Sequence, residues 1–243
     1  MKVQVLQHVP FEWIGSMEPW LRERGAEIVT ARLYAGDPVP DPAAGADLVL
    51  AMGGPMSVND EDVFPWLAPE KAYLRAMIAR GVPAVGVCLG AQLIASAHGA
   101  VITKNPQAEI GWFPVEAMPA PKGTFTFPFK KTVYHWHGET FALPQGAHLL
   151  ASSKACRNQA FQLGANVIGM QFHLETTPET AALLVENCRD EIVAGEYVQS
   201  AEEMLATPPE RYVAINELSA QVLDYVLGTA PGPQKRPENV ILF

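Results

Sequence analysis

Cysteine is scarce in this chain: Cys88, Cys156 and Cys188 are the only 3 among 243 residues, and no CxxC pair occurs. Neither a disulfide framework nor a cysteine-built zinc site fits so few, so widely spaced thiols, whereas a reducing compartment suits them. Long apolar runs are missing as well. No stretch approaches the roughly 18 uninterrupted apolar residues of a membrane span. The opening Met1-Lys2-Val3-Gln4-Val5-Leu6 has no extended apolar region or cleavage signal of a secretory leader. Positive charge is sparse, with 17 Lys and Arg against 26 Asp and Glu and a formal net charge of -9. Without Lys/Arg clusters, neither nucleic acid nor an anionic membrane is an expected partner. The glycine-rich dinucleotide pattern and the P-loop are absent, so nucleotide binding has no support. The expectation is a soluble, cytoplasmic protein.

What the chain does have is apolar material, 49% of its residues, enough for a sizeable core. Val3 to Val9, Glu27 to Tyr34, Asp47 to Met52 and Val82 to Val87 read as strands. The last two are nearly all apolar, as strands buried on both faces should be. Between them lie helical stretches: Gly15 to Arg24, with Ser16 as candidate N-cap and Gly25 as stop, and Pro69 to Arg80, stopped by Gly81. Alternating strands and helices predict an α/β fold with a doubly wound, mostly parallel central sheet. After Gly99 the pattern changes to short β-like runs (101–104, 111–117, 132–136, 148–153, 159–163), which predict a small antiparallel extension. Val167 to Phe172 is a further strand, and Pro178 to Val193 a helix capped by Thr177. No internal repeat or flexible linker stands out. A single domain over 1–243 is expected, its motif-bearing core spanning about 1–195, followed by a helical tail over 196–243 that ends in Pro-rich coil.

The segment Gly86-Val87-Cys88-Leu89-Gly90-Ala91-Gln92 carries the chemistry. It joins a buried strand to a helix-like run, and glycines flank the thiol on both sides. A sharp strand-to-helix turn there would hold Cys88 out of the sheet as a nucleophile, with the helix N-terminus lowering its pKa. Such a thiol needs a base, and the base an orienting partner. His173 ends the Gly169-Met170-Gln171-Phe172 strand, at the edge where active sites of open α/β sheets collect. Glu175 follows two residues on, on the same face of an extended chain. Gly53-Gly54-Pro55 ends another strand at that rim, so the Gly54 and Leu89 N–H groups are candidate oxyanion donors. A plain turn or a phosphate cradle is the alternative reading of the two glycines.

These motifs, Gly-Gly-Pro after a strand, Gly-Val-Cys-Leu-Gly-Ala-Gln, and Gln-Phe-His-Leu-Glu, stand in the order and spacing of class I glutamine amidotransferases. The match runs from about Asp47 to Glu175 and resembles the stand-alone branch related to the amidotransferase domain of GMP synthase. The resemblance implies a flavodoxin-like fold and a Cys88–His173–Glu175 triad. Cys88 would attack the glutamine side-chain amide, His173 would move the proton that releases ammonia, and water would hydrolyse a γ-glutamyl thioester. It also implies that Gln92 contacts glutamine and that His137-Gly138, within His137-Gly138-Glu139, holds the substrate's α-groups. The family usually reads His-Pro-Glu where this chain has Leu174; the spacing is kept, and losing the proline is expected to free the local backbone.

L-glutamine or a γ-glutamyl compound is therefore the expected substrate, and no cofactor is needed. The chain after Glu175 lacks the length and phosphate-binding motifs of a synthetase, so an ammonia acceptor would sit on a separate subunit. The alternatives are a γ-glutamyl peptidase or hydrolase using the same triad, and a catalytically idle binding protein. His135 and His137 share a strand face, but no third ligand at matched spacing is evident, so no metal is expected. Asp60-Glu61-Asp62 reads as a solvated loop that could border the pocket. Trp112, Trp136 and Phe172 read as core, and Cys156 and Cys188 as structural.

Overall fold

A computed structural model describes residues 1–229. Its strands are β1 (Lys2–Gln7), β2 (Glu27–Arg32), β3 (Leu48–Ala51), β4 (Ala84–Val87), β5 (Ile102–Ala117), β6 (Lys130–Phe141), β7 (His148–Ser152), β8 (Ala160–Leu163) and β9 (Val167–Met170). The α-helices are α1 (Met17–Glu23), α2 (Leu67–Ala79), α3 (Leu89–Ala97), α4 (Pro178–Asn187), α5 (Ala201–Leu205) and α6 (Pro209–Val226). All 9 strands form one sheet in the order β2-β1-β3-β4-β9-β8-β7-β5-β6. From β2 to β9 every pairing is parallel, and from β9 to β6 every pairing is antiparallel. The expected extension is thus the continuation of the central sheet.

Period-two alternation sorts the parallel strands onto two cores. Leu48 and Leu50 of β3 face one cluster, with Met17 and Leu21 of α1, Leu184 of α4 and Ile215 and Val222 of α6. Val49 and Ala51 of the same strand face the other, with Leu74 and Met77 of α2 and Leu93 and Ile94 of α3. Helices cover both faces, which is why β3 and β4 are buried at every position. This is the doubly wound arrangement read from the sequence.

Several boundaries differ for local physical reasons. The two runs expected at 101–104 and 111–117 are one strand, β5, whose pairing with β6 shifts register between Lys104 and Glu109. Ser16 does not cap α1: its backbone is helical and its side chain makes no capping bond. Its N–H donates instead to the Glu175 carbonyl at 2.9 Å. Thr177 does cap α4, through a reciprocal box with Thr180. That helix ends at Asn187, and a 3-10 turn over Arg189–Glu191 follows. The Pro-rich end of the tail lies outside the described residues. Among the described residues no helix is long and apolar enough to cross a membrane.

Candidate active site

Cys88 sits between the last residue of β4 and the first of α3, with φ 51° and ψ -108°. It is the only non-glycine residue with positive φ among the described residues. A side chain held there costs about 1–3 kcal/mol, which the packed strand–helix junction must offset. The flanking glycines are needed for contact, not for φ. A Cβ on Gly86 would lie 2.6 Å from the Gly90 backbone, and one on Gly90 would lie 1.9 Å from the Ala51 carbonyl oxygen. They let α3 press onto β3 and β4, and that pressure fixes the turn carrying the thiol.

His173 lies just past β9. Its N–H donates to the Tyr134 carbonyl at 2.8 Å, and its Nδ1 donates to Glu175 Oε1 at 2.7 Å. The short segment is held from behind, because Asn216 Nδ2 donates to the carbonyls of Leu174 and Thr176, each at 2.9 Å. Leu174 itself is fully buried in the core. The backbone is therefore pinned, and the expectation that losing the family proline frees it is corrected. Burial pushes the His173 pKa down, but the charge and hydrogen bond of Glu175 and the neighbouring Cys88 sulfur outweigh it, and the imidazole ends well above its ordinary value.

The thiol differs from expectation. Burial pushes the Cys88 pKa up; the neighbouring His173 imidazole, and the Leu89 N–H at the head of α3, pull it down by less. The net direction is upward, so a helix terminus does not make a free thiolate in so enclosed a place. Cys88 Sγ donates to the Trp136 carbonyl at 3.4 Å. Gln171 Nε2 points at the same sulfur from 3.5 Å. Gln92 Nε2 in turn donates to Gln171 Oε1 at 3.1 Å.

A cavity of about 500 Å³ opens over the sulfur, and Gly54, Cys88, Gln92, His137 and Gly138 all line it. His173 and Glu175 line a second, smaller cavity, and Glu12 belongs to both. Gly54 abuts the head of α3, where an added Cβ would lie 3.0 Å from the Leu89 side chain. Five of the expected site residues, Gly54, Leu89, Gln92, His137 and Gly138, thus cluster around Cys88, while His173 and Glu175 line the second cavity. Asp60 borders the cavity as the sequence allowed.

Other lining residues escaped the sequence reading. Trp136, read as core, and Cys188, read as structural, both face the cavity, as do Glu12 and Glu191. Burial raises the Glu12 carboxyl to about 7. Glu191 is also raised by burial, although Trp136 Nε1 donates to it at 3.0 Å. Glu12, Asp60, Glu139 and Glu191 against the single Lys104 make the lining strongly acidic. Gln171 had a legible signal: two residues before His173, it shares that face of the strand. Glu12, in the loop after β1, had none.

The His135-x-His137 pair also acquires a third member. Glu109 Oε2 lies 3.6 Å from His135 Nδ1 and 3.3 Å from His137 Nε2, with all three side chains buried. The absence of a third group, inferred from spacing, is corrected: the antiparallel pairing of β5 with β6 brings Glu109 opposite His137.

Known proteins share this architecture. The sequence pattern of "Glutamine amidotransferase class-I" matches residues 16–190. A glutamine amidotransferase-like protein of Salmonella typhimurium, YfeJ, is 33% identical over 92% of this chain and 96% of its own. A glutamine-hydrolysing GMP synthase subunit of Sulfolobus acidocaldarius is 33% identical over 53% of this chain and 67% of its own. Among solved structures, a glutamine amidotransferase of Methylobacillus flagellatus superposes with a TM-score of 0.88 at 29% identity, covering 96% of this chain and 97% of that one. One from Thermotoga maritima gives 0.83 at 28% identity, covering 93% and 98%. With the thiol turn, the fold and these relatives in agreement, the chain belongs to the class I glutamine amidotransferases.

Proposed function

We propose that this protein hydrolyses the side-chain amide of glutamine by covalent catalysis at Cys88. The carrying observation is the strained turn at Cys88 beside an imidazole already oriented by a carboxylate, His173 Nδ1 to Glu175 Oε1 at 2.7 Å. Cys88 attacks as the thiolate, and His173, whose basicity Glu175 raises, takes the thiol proton. The Cys88 sulfur attacks the γ-carbonyl carbon. The oxyanion that forms is met by the Gly54 and Leu89 N–H groups. As the tetrahedral intermediate collapses, the C–N bond breaks and His173 returns the proton to the departing ammonia. Water, deprotonated by the same imidazole, then cleaves the γ-glutamyl thioester to glutamate and free thiol. Glu175 holds the ring in its tautomer and stabilises the imidazolium. Gln92 and the backbone of His137 and Gly138 position the substrate, and no cofactor takes part in these steps. The chain acts as one domain, and ammonia passes to an acceptor on a separate subunit, in keeping with the relative that is itself named a subunit.

The decisive experiment is labelling with a diazoketone analogue of glutamine alongside an ammonia-release assay. Stoichiometric modification of Cys88, with label and turnover both lost in Cys88→Ala, supports the reading. Label retained in the variant overturns it.

The acidic lining favours a second reading, a γ-glutamyl hydrolase. The cavity falls in the range for ligands larger than one amino acid. Glu12 and Glu191 would meet an ammonium group on the leaving side. Turnover of γ-glutamyl amines exceeding that of free glutamine would select it over the first.

A further inference from the structure

We propose that Glu109, His135 and His137 bind a divalent first-row transition ion, with zinc the best match, and that this ion fixes the strand forming one wall of the cavity. The proposal is independent of the glutaminase reading.

Two of the three ligand–ligand distances are those of ligands around a shared ion. One ligand atom from each residue lies within 4.8 Å of the other two. Glu109 Oε2 is 3.3 Å from His137 Nε2 and 3.6 Å from His135 Nδ1. Two ligands each about 2.0–2.2 Å from a tetrahedral zinc stand about 3.3–3.5 Å apart. Neither contact is a hydrogen bond. Although buried, His135 Nδ1, His137 Nε2 and Glu109 Oε1 have no hydrogen-bond partner. Close but misaligned nitrogen and oxygen atoms are what ligation produces, since each ring aims its in-plane lone pair at the metal and past the neighbouring ligand.

The outer bonds support this. His135 Nε2 donates to the Phe113 carbonyl at 3.3 Å, and His137 Nδ1 donates to the Glu139 carbonyl at 3.0 Å. Each neutral ring has one proton, and in both rings it points outward. The inner nitrogens are therefore lone pairs facing a carboxylate. The two nitrogen lone pairs and Glu109 Oε1, enclosed without a cation, carry an uncompensated desolvation cost. Ligating histidines held by backbone carbonyls are the usual outer arrangement of such sites. The carboxylate is held in the same way, with Gln159 Nε2 at 2.6 Å and Ser153 Oγ at 3.0 Å donating to Oε2. Two imidazoles and a carboxylate suit zinc and its neighbours and not magnesium or calcium. The bare Glu109 Oε1, or water, would complete the coordination.

The position gives the ion a purpose. His137 is followed by Gly138 and Glu139, which line the cavity, and preceded by Trp136, whose carbonyl accepts the Cys88 thiol. Tying β6 to β5 at this point holds both in place.

The test uses the full chain carrying Cys88→Ala, so that the site thiol is not a competing ligand. Chelator-stripped protein is dialysed against zinc chloride or cobalt chloride. Elemental analysis should find one equivalent bound, the cobalt form should show visible absorption of a nitrogen–oxygen site, and zinc should raise Tm by several degrees. Adding Glu109→Gln should weaken binding at least tenfold; should that variant fail to fold, His137→Gln carries the same test. No retained metal, an unmoved Tm, or equal binding by a folded variant would overturn the proposal.

Discussion

Two imidazole–carboxylate clusters lie on one sheet in this molecule, and they are built to opposite rules. At the end of β9, His173 and Glu175 sit 2.7 Å apart in an aligned hydrogen bond, with a proton between them. On β5 and β6, Glu109 faces two histidines at 3.3 and 3.6 Å with no aligned bond to either. In the first cluster the outer carboxylate takes the ring proton, so the remaining nitrogen, His173 Nε2, is left without a partner and available to a substrate or thiol. In the second, backbone carbonyls take the ring protons, so the inner nitrogens converge on one another. On the proposed readings a proton shuttle and a cation cradle use the same residue types, and the direction of the outer hydrogen bond separates them.

The largest expected effects fall on the first cluster. Cys88→Ala should abolish turnover, because in the proposed mechanism nothing else can form the thioester. His173→Ala should lower kcat by about 10³-fold or more, since it removes the proton transfers of both half-reactions. Glu175→Gln keeps the thiol and the ring and should cost less, about 10²-fold. Steady-state kinetics of the three variants would check this order. Equal, mild losses would mean that His173 and Glu175 form a structural pair and that the contrast between the clusters is false.

The uneven legibility of the two clusters has a physical cause. His173 and Glu175 are two residues apart, and the apolar run before them placed them at a strand end. Cys88 announced itself by glycines that the close approach of α3 to β3 requires. The doubly wound half was equally readable, because strands buried on both faces leave unbroken apolar runs. Glu109 was not readable. Its partners are on another strand, and the register shift after Lys104 decides which face it meets. Glu12 belongs to a loop whose path no periodicity encodes. The thiol pKa was misjudged because helix N-termini favour anions by a modest amount, whereas burial at Cys88 acts more strongly in the other direction.

A smaller effect tests the packing beneath the first cluster. Gly90→Ala would drive a methyl into the Ala51 carbonyl. Overpacking of that kind costs about 1–3 kcal/mol. A fall in Tm of several degrees, with a disproportionate loss of kcat, would show that close helix packing holds the Cys88 turn. An unchanged Tm would show that α3 can back away without consequence.

The smallest effect concerns Glu12, a carboxyl lodged beside the first cluster with no partner of its own in the way Glu175 has His173. The charged and titratable groups acting on it are His173, Glu175, His8 and Glu191. Burial is the dominant influence and raises its pKa from 4.5 to about 7. The sign follows from linkage. A raised carboxyl pKa means the folded state prefers the neutral acid. That contribution is fully present below pH 4.5 and is lost as the pH rises through about 7. Gln is neutral at every pH. Glu12→Gln and its parent should therefore differ little in Tm at pH 4, and the variant should gain relative to the parent between pH 5 and pH 8. Thermal denaturation across that range reads the difference directly. A constant offset between the two proteins would mean that Glu12 ionises as freely as an exposed carboxylate. In that case its place beside His173 would not tune the site.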